Sequence, residues 1–166
     1  VESAGYRMIT KEKLREMRIR GLLAEDIMKS IAPEEAEMLF KKRKALVMDS
    51  FFLECAEVRP HVRQTLAKIK EAGHVLCIAT RRMNRKKINE FLQKEGLIQY
   101  VATMLCGDDV KGTPEKVKQE MYQQLMRKYN IKAEDTLVIG NTETDLSPAR
   151  QLHIKTAAFD GTYTKK

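Results

Sequence analysis

Three clusters of polar residues each close a run of apolar ones, and they carry the groups that could do chemistry. Thr80 ends HVLCIAT and is followed by Arg81 and Arg82; Gly107, Asp108, Asp109 and Lys111 follow YVATMLC; Gly140 ends TLVIG and leads into Asn141, Thr142, Glu143, Thr144 and Asp145. A hydroxyl and a cation together can hold a phosphoryl group through charge-assisted hydrogen bonds. Oxygen donors can hold magnesium, which takes one or two carboxylates and completes its shell with substrate phosphate and water. Plainer roles compete with these. Asp145 would serve as the N-cap of a short helix carrying Leu146, and Thr113 as the N-cap of a helix that begins at Pro114. Thr80 suits a strand simply because it is β-branched. Asp108 and Asp109 fit an exposed loop, and His61, His74 and His153 have neither partner nor metal spacing.

The elements that would position these groups alternate from Val58 onward. A helix carries Val62, Leu66 and Ile69 on one face and stops at Gly73, before the first apolar run. A second, with Ile88, Phe91 and Leu92, ends at Gly96 before YVATMLC at 100–106. A long helix from Pro114 places Val117, Met121 and Leu125 in register, ahead of TLVIG at 136–140. A short one around Leu146, Ala149 and Leu152 leads to KTAAF at 155–159. Nearly continuous apolar strands, each followed by a helix, predict an α/β fold: a Rossmann-like, doubly wound parallel sheet with right-handed crossovers. Ligands sit at the carboxyl ends of such strands, where the three clusters fall.

Residues 6–59 read instead as helical, with Leu14, Met17, Leu22, Leu23, Ile27 and Met28, then Ala36, Leu39, Phe40, Leu46 and Val47, at helical spacing. Gly21 and the Ala32-Pro33 step punctuate them. Pro33 suits the first turn of the following helix, with Glu34 and Glu35 at the positive end of its dipole. The chain therefore divides into a helical unit over 1–57 and an α/β core over 58–166.

A length of 166 residues can bury a real core. No apolar run approaches the roughly 20 residues of a membrane span, and the N-terminus carries no basic-then-apolar signal, so the expected setting is soluble and cytoplasmic, without a membrane partner. Cys55, Cys77 and Cys106 are odd in number and far apart, which argues against disulfides and zinc. A net charge of +8 favours anionic ligands. The basic runs KKRK at 41–44 and RRMNRKK at 81–87 lack interleaved aromatics, which argues for solvated helix faces and against nucleic acid.

The order VRPHVRQTLAKIKEAGHVLCIAT, GDDVKGTPEKV, VIGNTETDLSPARQLHIKTAAF resembles the second, third and fourth motifs of haloacid-dehalogenase-like phosphatases, nearest to their phosphoglycolate-phosphatase-like branch. The helical unit resembles the family's α-helical cap. The resemblance implies hydrolysis of a small phosphorylated metabolite through an aspartyl-phosphate, with Mg2+ as cofactor. Thr80 would hydrogen-bond the phosphoryl group and Asn141 and Asp145 would hold the metal. A lysine of the 111–116 stretch would neutralise charge: Lys111 is preferred because its loop can turn inward, while Arg81 and Lys116 are left to bind substrate. The family nucleophile lies in a DxDGT sequence that this chain lacks; the opening VES resembles the residues after it, which would put both aspartates upstream of Val1. Asn141 stands where the family usually has aspartate, which lowers the expected magnesium affinity. Two alternatives follow: KALVMDSFF at 44–52 as the central strand with Asp49 as nucleophile, or a non-catalytic module that binds a phosphate ligand or a protein.

Overall fold

The computed structural model describes residues 9–20, 22, 24–48 and 57–159. Its first part is helical: α1 (Lys11–Ile19), α2 (Ala24–Ile31) and α3 (Ala36–Met48). The small core here is Ile27, Ala32, Ala36 and Leu39, where α2 and α3 meet. Pro33 does not open α3. Residues 33–35 form a turn first, with the Glu35 amide donating to the Ala32 carbonyl at 3.2 Å, because that bond closes the chain before the helical ladder begins. Residues 44–48 complete α3, so the first half of KALVMDSFF is helix rather than strand; Asp49 and Cys55 lie outside the described residues.

The second part follows the predicted alternation: α4 (Val62–Glu71), β1 (Cys77–Ala79), α5 (Arg85–Lys94), β2 (Thr103–Leu105), α6 (Pro114–Tyr129), β3 (Leu137–Gly140), α7 (Glu143–Gln151) and β4 (Lys155–Ala158). Single turns of 3-10 helix, Ile98–Tyr100 and Ala133–Asp135, lead into β2 and β3. All four strands lie in the predicted apolar runs, each shorter than its run. β1 pairs in parallel with β2, Cys77 opposite Thr103, and β3 with β4, Leu137 opposite Lys155. Among the described residues β1 and β3 share no ladder, so the strands form two parallel pairs rather than one hydrogen-bonded sheet.

Packing joins what the ladders do not. Ile88, Leu92, Leu97, Met104 and Cys106 form a core with Val62, Leu66 and Ile78, which lays α4 and α5 on one face of β1–β2. On the opposite face Val117 and Met121 of α6 meet Ala79 and Leu105. The next residue of α6, Tyr122, packs with Ala149 and Ile154, again against Ala79 and now also Val138. Helix α6 thus lies under both pairs, and its position is what brings the ends of β1 and β3 together. The β1–β2 pair is covered on both faces, as parallel strands require. The outward face of β3 leaves Leu137 at 56% and Ile139 at 59% exposure.

Among the described residues no helix is long and apolar enough to cross a membrane. Cys77 and Cys106 are free thiols; Cys106 is fully buried, and burial pushes both thiols up. The basic runs are partly neutralised in place: Lys41 pairs with Glu37 along α3, Lys86 with Glu90 along α5, and Arg85 with Asp109.

Candidate active site

Residues spaced three and four apart on a helix share a face, and on α6 that face carries Val117, Lys118, Met121 and Tyr122, all buried. Lys118 is the one charged residue among them, its side chain 7% exposed. A buried ammonium is costly unless paired and hydrogen-bonded. Here Nζ donates to the Ala79 carbonyl at 2.5 Å and pairs with Asp145 Oδ1 at 2.8 Å. Ala79 is the last residue of β1, directly before Thr80, and Asp145 lies in the first turn of α7, just past β3. One lysine therefore ties the two strand ends.

Asp145 is the third residue of α7, not its N-cap; that place belongs to Thr142. The Thr142 hydroxyl donates to Asp145 Oδ2 at 2.8 Å, and the Tyr122 hydroxyl donates to the Asp145 backbone carbonyl at 3.1 Å. Burial alone would raise the carboxyl pKa. The Lys118 hydrogen bond and charge, the Thr142 hydroxyl and the field of Arg81 outweigh burial and hold it below the usual aspartate value. Tyr122 moves the other way, pushed well above the ordinary phenol range by burial and by the Asp145 charge. Gly140 is needed at the strand end because a Cβ there would stand 2.5 Å from the Asp145 Cβ. The acid is thus seated against backbone.

Thr80 continues the β1 ladder, its amide donating to the Leu105 carbonyl at 2.9 Å. Its Oγ1 accepts from the Arg82 amide at 3.2 Å. Because a hydroxyl accepts and donates at once, the Thr80 proton stays available to an outside acceptor. Arg81 is exposed, yet its charge reaches Asp145.

The geometry therefore gathers Thr80, Arg81 and Asp145 as the sequence suggested, and adds Lys118, which sequence reasoning passed over. Lys111 and Lys116 are exposed, and neither has a hydrogen-bond or ion-pair partner among the described residues. The signal for Lys118 was its place one position after Val117 and four before Tyr122, on the apolar face of the helix. Asn141 is exposed beside Gly140. Among the described residues no group of three His, Cys, Asp or Glu side chains is arranged to hold a metal. Asp145 and Asn141 are nonetheless hard oxygen donors at one strand end, and one carboxylate with phosphate and water is within magnesium's habits. The donor set fits that ion.

Parallel strands wrapped by helices, with a hydroxyl, a lysine and an acid near the ends of β1 and β3, define a Rossmann-like α/β protein. The family model for haloacid dehalogenase-like hydrolases matches residues 1–159, and the chain belongs to that family, with relatives on its phosphoglycolate-phosphatase-like side. Phosphoglycolate phosphatase of Vibrio parahaemolyticus is 27% identical over 98% of this chain and 73% of the relative. The same enzyme of Vibrio vulnificus is 27% identical over 81% of the chain and 58% of its own length. A pyrophosphatase of Oceanobacillus iheyensis is 29% identical over 60% of the chain and 45% of its own length. The chain thus spans between under half and about three quarters of these relatives. Among solved structures, a haloacid dehalogenase-like protein of Streptococcus pneumoniae superposes with a TM-score of 0.74 at 15% identity, covering 98% of this chain and 74% of its own. One of Bacteroides fragilis also gives 0.74, at 19% identity, covering 99% and 77%.

Proposed function

We propose that this protein is a phosphatase that hydrolyses a small phosphorylated metabolite at the ends of β1 and β3. The observation that carries the reading is the buried Lys118, held between Asp145 and the carbonyl of Ala79, the residue directly before Thr80. In this reading Thr80 donates to a phosphoryl oxygen, and Lys118 takes the charge-neutralising role in place of Lys111 or Lys116. Arg81 adds an exposed cation at the mouth, while Lys111 and Lys116 attract the anionic substrate from a distance. In this reading the helices α1–α3 would serve as the cap.

Asp145 and Asn141 would hold Mg2+, which when bound offsets charge on the phosphoryl oxygens. In this reading the nucleophile would be the first aspartate of a DxDGT sequence, which residues 1–166 do not contain. Its carboxylate oxygen attacks phosphorus as the ester oxygen leaves with a proton from the second aspartate; water then displaces the enzyme carboxylate and yields inorganic phosphate. Relatives named for phosphoglycolate and for pyrophosphate support a small phosphorylated substrate.

The test is phosphate release from a panel of phosphorylated metabolites with Mg2+, using a protein that includes a DxDGT strand. Turnover is expected, abolished by Lys118→Met and reduced by Thr80→Val. No release from any panel member would contradict the proposal. Asn141 favours a second reading, a module that binds a phosphate ligand without hydrolysing it. Asn141→Asp separates the two: a rise in magnesium-dependent turnover speaks for a weakened enzyme, and no change for a binder.

A further inference from the structure

The loop that carries Thr80, Arg81 and Arg82 is held from outside, by the acids that follow β2. Asp108 Oδ2 accepts from the Asn84 amide at 2.6 Å. Asp109 Oδ2 accepts from the Cys106 amide at 2.6 Å and pairs with the Arg85 guanidinium, whose Nη1 also donates to the Met104 carbonyl at 2.7 Å. The Gly107 amide donates to the Arg82 carbonyl at 2.9 Å. A Cβ on Gly107 would stand 2.5 Å from the Arg81 carbonyl oxygen, so the two loops meet backbone to backbone. Asn84, at the far end of the loop, is left-handed with φ 66° and caps α5 by accepting from the Lys87 amide at 3.2 Å.

Without these bonds only the Thr80 contacts, its amide on Leu105 and its hydroxyl on the Arg82 amide, would hold the start of a short segment that carries Arg81 and Arg82 side by side and runs into Arg85. With them, the turn after Thr80 is pinned at Arg82, Asn84 and Arg85 by one neighbouring loop. We propose that Asp108 and Asp109 are positioning residues for the anion site: they touch no substrate, but they hold the loop in the form that leaves the Thr80 hydroxyl proton and Arg81 directed to a phosphoryl group. The inference rests on the phosphate-binding reading above and extends it to residues that reading does not use. A binding loop supported by locked neighbours keeps its geometry, and a misplacement of about 1 Å weakens function sharply.

The test is a titration of the isotope-labelled chain with orthophosphate, followed at the backbone amides of Thr80, Arg82 and Asn84. Wild type is expected to bind with these signals shifting, and Asp108→Ala/Asp109→Ala to bind at least about tenfold more weakly. The corresponding Asn pair, whose amide oxygens still accept, should return to within about threefold of wild type. Leu152→Ala, a control away from the loop that lowers the melting temperature, should keep wild-type affinity, which a merely structural role for the acids would not predict. If the double alanine variant does not fold, Asp108→Ala alone is read in the same way. A folded alanine variant that binds phosphate as well as wild type, or a control that weakens equally, overturns the inference alone. Wild-type chain that shows no phosphate-dependent shift overturns the functional reading as well.

Discussion

The two parts of this chain use charge differently. Four ion pairs among the described residues of the helical part run along a helix: Lys13 and Arg20 with Glu16, Lys29 with Glu25, Lys41 with Glu37, all three or four residues apart and all solvent-exposed. In the α/β part ion pairs also join distant elements. Arg63 of α4 reaches Glu95 past α5, Arg85 reaches Asp109 beyond β2, and Lys118 reaches Asp145 past β3. Pairs of the first kind help a helix locally and are screened by water. Pairs of the second kind fix where strand ends lie, and that is where the chemistry sits. These four pairs decorate single elements, whereas the three of the α/β part set how elements relate.

That contrast can be broken most forcefully at Lys118. Lys118→Met leaves Asp145 with a mostly buried, uncompensated charge and should cost about 3 kcal/mol in urea denaturation. Smaller is the effect of Gly140→Ala, whose methyl would collide with Asp145; it should cost about 2 kcal/mol and shift the resonances of Lys118. The pH dependence is smaller again. Asp145 and Asp109 have folded-state pKa values below that of an unfolded aspartate, about 3.9, so their contribution is fully present above that value. It is lost as pH falls through the lowered folded-state values. Asp145→Asn should flatten this acid limb in thermal melts below about pH 4. At the bottom of the order, Lys41→Ala should leave the melting temperature unchanged, because its pair with Glu37 is fully exposed. A large fall there would erase the distinction between the two parts.

The strands were legible as short apolar runs closed by turn residues, and all four runs hold strands. The helix stops were legible where a glycine ended the periodicity, as at Gly96 after α5. The site was only half legible. Thr80 and Asp145 could be named because they lie just past strands, but Lys118 was harder to see: its place on the apolar face of α6 was the one signal, and periodicity leaves a lysine to solvent by default. What overrides that default is an acid 27 positions later in sequence, visible only once α6 and α7 pack. Likewise Thr113 occupies the N-cap of α6, as its place before Pro114 suggested, yet its side chain makes no capping bond. Asp108 and Asp109 lie in the exposed loop that was expected; their bonds to the β1 loop depend on the β1–β2 pairing.

The central claim is that Lys118 supplies the cation of the anion site. It is tested most directly by comparing orthophosphate affinity in Lys118→Met, Lys111→Met and Lys116→Met, with folding checked in each. The account predicts that phosphate binding is lost in the first and kept in the other two. A folded Lys118→Met protein that binds phosphate as wild type does, with binding lost in Lys111→Met, would contradict it.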